Sequence, residues 1–235
     1  YYIPASYTSN IDPTTGFISA FIQTRYENVE KTKSLIEKFN DITYDAEESL
    51  FCFSADYKKF SPEAKLWQQT IWQIYTNGDR IYTFKNKEEW QSKSYILVEE
   101  FKDLFAKYHI DYCRDLKAHI LSQTDASFFK QFLFLLRLTL QMRNSRTTEL
   151  NGTDADTKKR ENDYIISPVK NQYGKFYDSR KDYVDWPENA DANGAYNIAR
   201  KGLIMLKHLK EGLPEKRICD ISTEEWVQFV EELNK

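Results

Sequence analysis

The sequence predicts an α+β chain, and three observations carry that expectation. Residues 125–142 are apolar nearly all round over a helical length, which places a helix at the centre of a core. Short runs at 42–44, 50–53, 71–75 and 80–84 are rich in aromatic and β-branched residues and read as strands. From Ala195 onward, Ile198, Ala199, Gly202, Leu203, Leu206 and Leu209 recur at helical spacing behind an acidic residue, Asp191.

Taken in order, Tyr1, Tyr2 and Ile3 look like a short strand stopped by Pro4. Asp12-Pro-Thr-Thr-Gly16 has turn chemistry. A helix is expected from about Asn28 to Phe39, with Val29, Thr32, Leu35, Ile36 and Phe39 on one face. Asn77-Gly78 lies between two strand runs and predicts a hairpin with a type I′ turn. Val98, Phe101, Leu104, Phe105 and Tyr108 mark an amphipathic helix, and the apolar helix at 125–142 then ends at Arg143. Residues 146–162 are polar and read as a loop. A strand is expected at 163–166 and a turn at Tyr173-Gly174. The Asp191 helix should stop at Gly212 and Pro214. Ser222-x-x-Glu225 signals a capping box for a last helix facing inward through Trp226, Phe229, Val230 and Leu233.

Composition narrows the function. The chain has 235 residues, enough for one or two domains, and no apolar run reaches membrane-spanning length. Its opening, Tyr-Tyr-Ile-Pro, reads as a piece of a longer polypeptide. Cys52, Cys113 and Cys219 are widely spaced with no C-x-x-C, so a zinc ribbon is not expected and a reducing compartment is the simpler assumption. The net charge of −3 hides an asymmetry: residues 137–217 hold 16 Lys and Arg against 12 Asp and Glu, a balance of +4. Such a segment permits a nucleic-acid groove without demanding one.

No Gly-rich phosphate loop, H-E-x-x-H or G-x-S-x-G is present, and the three histidines have no Ser or Cys partner in sequence. Acid–metal chemistry remains. Asp191 has two readings, a helix-capping Asp or a metal ligand near a close backbone approach at Gly194. Two-metal phosphodiester cleavage needs several converging carboxylates, so Asp191 requires partners.

Five blocks carry a resemblance: YIPASYTSNIDPTTGF at 2–17, LQMRNS at 140–145, DYIISPV at 163–169, FYDSR at 176–180 and NADANGAYNIA at 189–199. In these blocks, and in their order, the chain resembles the C-terminal part of the type V-A CRISPR effector nucleases, RNA-guided DNA endonucleases with one RuvC-type site. The resemblance implies a mixed α/β Nuc domain at 11–185, flanked by a short RuvC segment at 1–10 and the last RuvC segment at 186–235. That RuvC domain is split and ribonuclease-H-like. Asp191 would be a catalytic, metal-binding carboxylate and Arg143 the Nuc-domain arginine that supports cleavage. Ser145, Asp163, Arg146 and Arg180 would lie near the DNA path. Implied too are Mg2+ in a two-metal site, no zinc, and guide RNA and target DNA as partners. The rest of the effector chain would be a partner, an inhibitor protein could be another, and a membrane would not. The location would be the prokaryotic cytoplasm, the role antiviral defence. With the other carboxylates elsewhere in the parent, the fragment alone is expected to be inactive. The competing reading is a stand-alone nucleic-acid-binding or scaffolding module.

Overall fold

The computed structural model describes residues 8–61, 71–146 and 163–233. The strand expected at Tyr1–Ile3 and nearly all of the polar loop at 146–162 lie outside them. The chain divides into two compact units, residues 20–141 and residues 1–19 with 142–235. Helices and small antiparallel sheets make it α+β.

In the unit of residues 20–141, Asn28 caps helix α1 (Val29–Glu37) by accepting from Lys31 N at 2.8 Å. Strands β1 (Phe39–Asp45), β2 (Leu50–Asp56) and β3 (Ile71–Tyr75) form an antiparallel sheet in that order, and the one-turn helix α2 (Tyr57–Phe60) follows β2. Next come a two-stranded ribbon of β4 (Asp79–Asn86) and β5 (Glu89–Ile96), then helices α3 (Leu97–Lys107), α4 (Leu116–Ser122) and α5 (Ala126–Leu140). Phe51, Phe53, Phe101, Phe105 and Phe132, all fully buried, meet edge-on or tilted between the sheet and helices α3 and α5. Burying each such ring contributes about 1.5–3 kcal/mol, so these rings supply much of what holds the sheet to the helices.

The hairpin expected at Asn77-Gly78 does not form. β3 pairs with β2, and β4 pairs with β5 around Lys87. Two anchors override the turn dipeptide. Thr76 exchanges hydrogen bonds with the backbone of Phe51, its N–H donating to the Phe51 carbonyl and its hydroxyl accepting from Phe51 N, both at 3.0 Å. The fully buried Arg80 guanidinium then donates to the carbonyls of Asn77, Asp79 and Gln141 at 2.7–3.0 Å. Gly78 does take positive φ (67°), but as a corner between two sheets.

In the other unit, β6 (Arg143–Ser145), β7 (Asp163–Lys170) and β8 (Phe176–Asp178) form an antiparallel sheet in that order. It is followed by α6 (Ser179–Asp182), the 21-residue α7 (Ala190–Lys210), the short α8 (Glu215–Ile218) and α9 (Thr223–Leu233). The turn at Asp12 is as expected: its buried carboxylate accepts from Thr14 N, Thr14 Oγ1 and Thr15 N, and from the Ser167 hydroxyl. Gly16 has φ of +74°, and a Cβ there would meet Trp226 Nε1 at 3.0 Å. At Gly194 a Cβ would meet Thr8 and Ser9 only at 3.7–3.8 Å, so space alone does not demand glycine there. Helix α7 ends in a Schellman motif, with Leu213 N on the His208 carbonyl, Gly212 N on that of Leu209, and Gly212 at φ +71°. The last helix uses half a capping box. Ser222 Oγ accepts from Glu225 N at 3.1 Å, but the Glu225 carboxylate turns to His208, and Leu233 is exposed.

Candidate functional site

Two features of the sequence reading change at Asp191. The cap of α7 is Asn189, whose Oδ1 accepts from Ala192 N at 2.9 Å. Asp191 lies in the first turn with its side chain 87% exposed, so the capping reading is overturned. The buried face of α7 is also not the expected one. Leu203, Leu206 and Leu209 are exposed, while Asn193, Asn197 and Arg200 are buried.

That polar face is what fixes the helix. Asn193 Nδ2 donates to the carbonyls of Ser9 (3.1 Å) and Ile11 (2.8 Å). Asn197 Nδ2 donates to those of Thr8 (3.0 Å) and Ile11 (3.3 Å), and to Asn193 Oδ1 (3.0 Å). Arg200 donates to the Pro13 carbonyl at 2.6 Å and lies 4.2 Å over the Tyr196 ring; burial pulls its pKa down. Without these partners each buried amide would cost about 1–3 kcal/mol. The first turn of α7, with Asp191 on it, is thereby tied to residues 8–13. Sequence reasoning missed these positioning residues. The signal was present as asparagines at 189, 193 and 197, one helical turn apart.

Arg143 is likewise displaced from its expected setting. Helix α5 stops at Leu140, and Arg143 begins β6, paired opposite Ile165 of β7. It is therefore not a helix-end residue. Alternation along β6 turns Arg143 and Ser145 outward and buries Asn144, whose Nδ2 donates to the Met142 carbonyl at 2.9 Å. Ser145 faces Asp163 across the register, and Asp163 lies diagonal to Arg143. Arg143 Nε is 3.8 Å from Asp163 Oδ1, and its Nη2 is 3.9 Å from Asp191 Oδ1. Both distances are ion-pair contacts beyond hydrogen-bonding range. Arg143, Asp163 and Asp191, far apart in sequence, thus form one cluster, with Ser145 on the neighbouring edge.

The other two predicted residues are placed differently. Arg146 is exposed just beyond β6. Arg180 makes a bidentate pair with the buried Asp178 carboxylate (2.9 and 2.8 Å) and stacks 4.0 Å over Tyr164. Its fork is engaged in holding α6 to the sheet.

Among the described residues, no group of three or more His, Cys, Asp and Glu is placed to hold a metal ion. Asp163 and Asp191 converge on a guanidinium rather than on a shared cation site, and a hard divalent ion takes six or more oxygen ligands. These residues alone do not fit the magnesium pair that the resemblance implies. What the cluster offers is one solvent-facing carboxylate beside a half-exposed guanidinium, a group suited to a phosphate-bearing ligand.

A family model described as NUC, nuclease domain, matches residues 11–181. Arg143, Ser145, Arg146, Asp163 and Arg180 fall within the matched span, and Asp191 lies beyond its end. With well over half of its 235 residues inside that match, the chain belongs to the nuclease-domain family.

Proposed function

We propose that this chain is the C-terminal part of a type V-A CRISPR RNA-guided DNA endonuclease. In that reading a Nuc domain at 11–185 leads DNA strands to a magnesium-dependent RuvC site, and segments 1–10 and 186–235 belong to RuvC. Asp191 supplies one carboxylate, and other segments of the effector supply the rest. Arg143 grips a backbone phosphate and orients the strand. Asp163 holds the guanidinium from its other side, and Ser145 and Arg146 lie along the same edge.

The observation that supports this best is the face on which Asp191 sits. Asp191, Ala195, Ala199, Leu203 and Leu206 are all exposed and lie on one side of α7 at helical spacing. A contiguous apolar stripe of this kind is the mark of an interaction surface. It starts at the carboxylate, so whatever covers the stripe also brings its own groups to Asp191. A complete site assembled from separate segments has this form, and a self-sufficient binding module has no need of it.

The test is Asp191→Ala in the complete effector with guide RNA. Cleavage of both DNA strands should be lost while guide-dependent DNA binding persists, because base pairing supplies recognition. Retained cleavage at the parental rate would remove Asp191 from the site.

A further inference from the structure

The β4–β5 ribbon carries the most exposed tryptophan that the described residues contain, Trp90 at 61%. Alternation assigns the two faces of the ribbon. Tyr82 and Tyr95 share the inner face and pack edge-on against Phe134 of α5, at 5.0 and 5.4 Å between ring centroids. The opposite face turns away from α5. On it, toward the tip, Trp90 stands directly across from Lys85, and Thr83 across from Ser92, their hydroxyls 3.1 Å apart. Lys87 occupies the corner with φ of 56°, and alternation sends Glu89 to the inner face. From Thr83 to Trp90 this outer face holds an aromatic plane, an ammonium and two hydroxyls, and Glu88 stands beside Lys87 in the two-residue turn at its tip.

That combination has a chemical counterpart. An apolar protein partner would want a patch, and here a single large ring is ringed by polar groups. A nucleic acid strand offers a π-face to stack and, one backbone step away, a phosphate for a lysine. We propose that the outer face of the ribbon is a stacking site for one unpaired base of single-stranded nucleic acid, with Trp90 as the platform and Lys85 as the phosphate contact. The proposal rests on the chain acting on nucleic acid, as its nuclease-domain family implies, and not on the assignment of Asp191 to a RuvC site.

The experiment is fluorescence anisotropy of a short labelled oligothymidine with the purified chain at low salt. Stacking contributes about 1–3 kcal/mol per base, so Trp90→Ala should weaken binding roughly 5- to 150-fold. Trp90→Phe should keep a large share of the affinity, because a ring remains. Lys85→Gln should lower the salt dependence by about 0.7 in the log–log slope, the value for one single-strand phosphate. Thermal melts of the three variants establish that each is folded before its affinity is set against the parent's. Parental affinity in Trp90→Ala overturns the proposal, as does an absence of oligothymidine binding by the parental chain. Neither result bears on cleavage by the Asp191→Ala effector, so the two readings fail separately.

Discussion

Arg143 stands between two carboxylates without hydrogen-bonding either, at 3.8 and 3.9 Å, and its partner Asp191 is largely in water. Exposed ion pairs of this kind contribute about 0–1 kcal/mol, so the cluster does little for stability. A guanidinium held loosely beside a carboxylate is free to re-aim its fork. On the proposed reading, Arg143→Ala should therefore melt close to the parent and, in the complete effector, cut one strand much more slowly than the other. The strand with farther to travel to a single site should suffer more. Arg143→Lys should recover only part of the rate, because lysine keeps the charge and loses the two-pronged contact. Equal parental rates on both strands in both variants would leave Arg143 without a role in cleavage. Asn189→Ala makes the contrast: losing the cap of α7 should cost about 0.5–2 kcal/mol, whereas Asp191→Ala should move stability by less than about 1 kcal/mol. Thermal melts of the pair decide which residue caps. Sequence could not choose between Asn189 and Asp191, since both residue types cap helices and they lie two positions apart. Nor could it show Arg143 beside Asp191, because that proximity depends on the β6–β7 register and on how α7 is held.

At the scale of elements, patterns answered by nearby residues were legible and those answered by distant ones were not. Helices α1, α3 and α5 were readable from their apolar spacing, since each buries its face within its own unit. Asn77-Gly78 misled because the choice of β2 as partner for β3 is a long-range decision. The apolar spacing of α7 was read correctly as a face but not as an exposed one, because asparagine ladders to backbone carbonyls are invisible to a hydrophobic pattern. The end of α7 carries a pH-dependent fastening. His208 is buried, its Nδ1 lies 3.0 Å from the Ile218 carbonyl, and its Nε2 meets the Glu225 carboxylate of α9. Two acceptors require a proton on each nitrogen. Burial opposes that charge, but the hydrogen bonds to Glu225 and Ile218 and the charges of Glu225 and Glu211 outweigh it and raise the pKa. A raised folded pKa means the stabilisation is complete below the unfolded value of about 6.5 and is lost as pH rises through the folded value. Melting temperature should thus fall on going from mildly acidic to alkaline buffer. His208→Gln should flatten that part of the profile; an unchanged profile would exclude the imidazolium.

For the molecule as a whole, each compact unit has a core of its own. The core of residues 20–141 is built from rings between a sheet and helices, and that of the other unit from the sheet β6–β8, the turn at Asp12 and the helix α7. Neither supplies a set of converging carboxylates among the described residues. In-line hydrolysis of a phosphodiester with two metal ions needs both attacking and leaving oxygens clamped, and a single Asp cannot organise that. We therefore expect the purified chain, given magnesium and a DNA duplex, to release no cleaved product above the buffer control. Isothermal titration with magnesium should likewise show no tight site. Weak, salt-sensitive DNA binding is compatible with both outcomes, because the segment 137–217 is net positive. On the proposed reading, co-expression of the chain with the other effector segments should restore cutting, and Asp191→Ala in the chain should abolish it again. Magnesium-dependent cleavage by the chain alone, lost on Asp191→Ala, would show that the site is self-sufficient. The exposed stripe from Asp191 to Leu206 would then need another occupant, since a complete site leaves no carboxylates for a covering segment to bring.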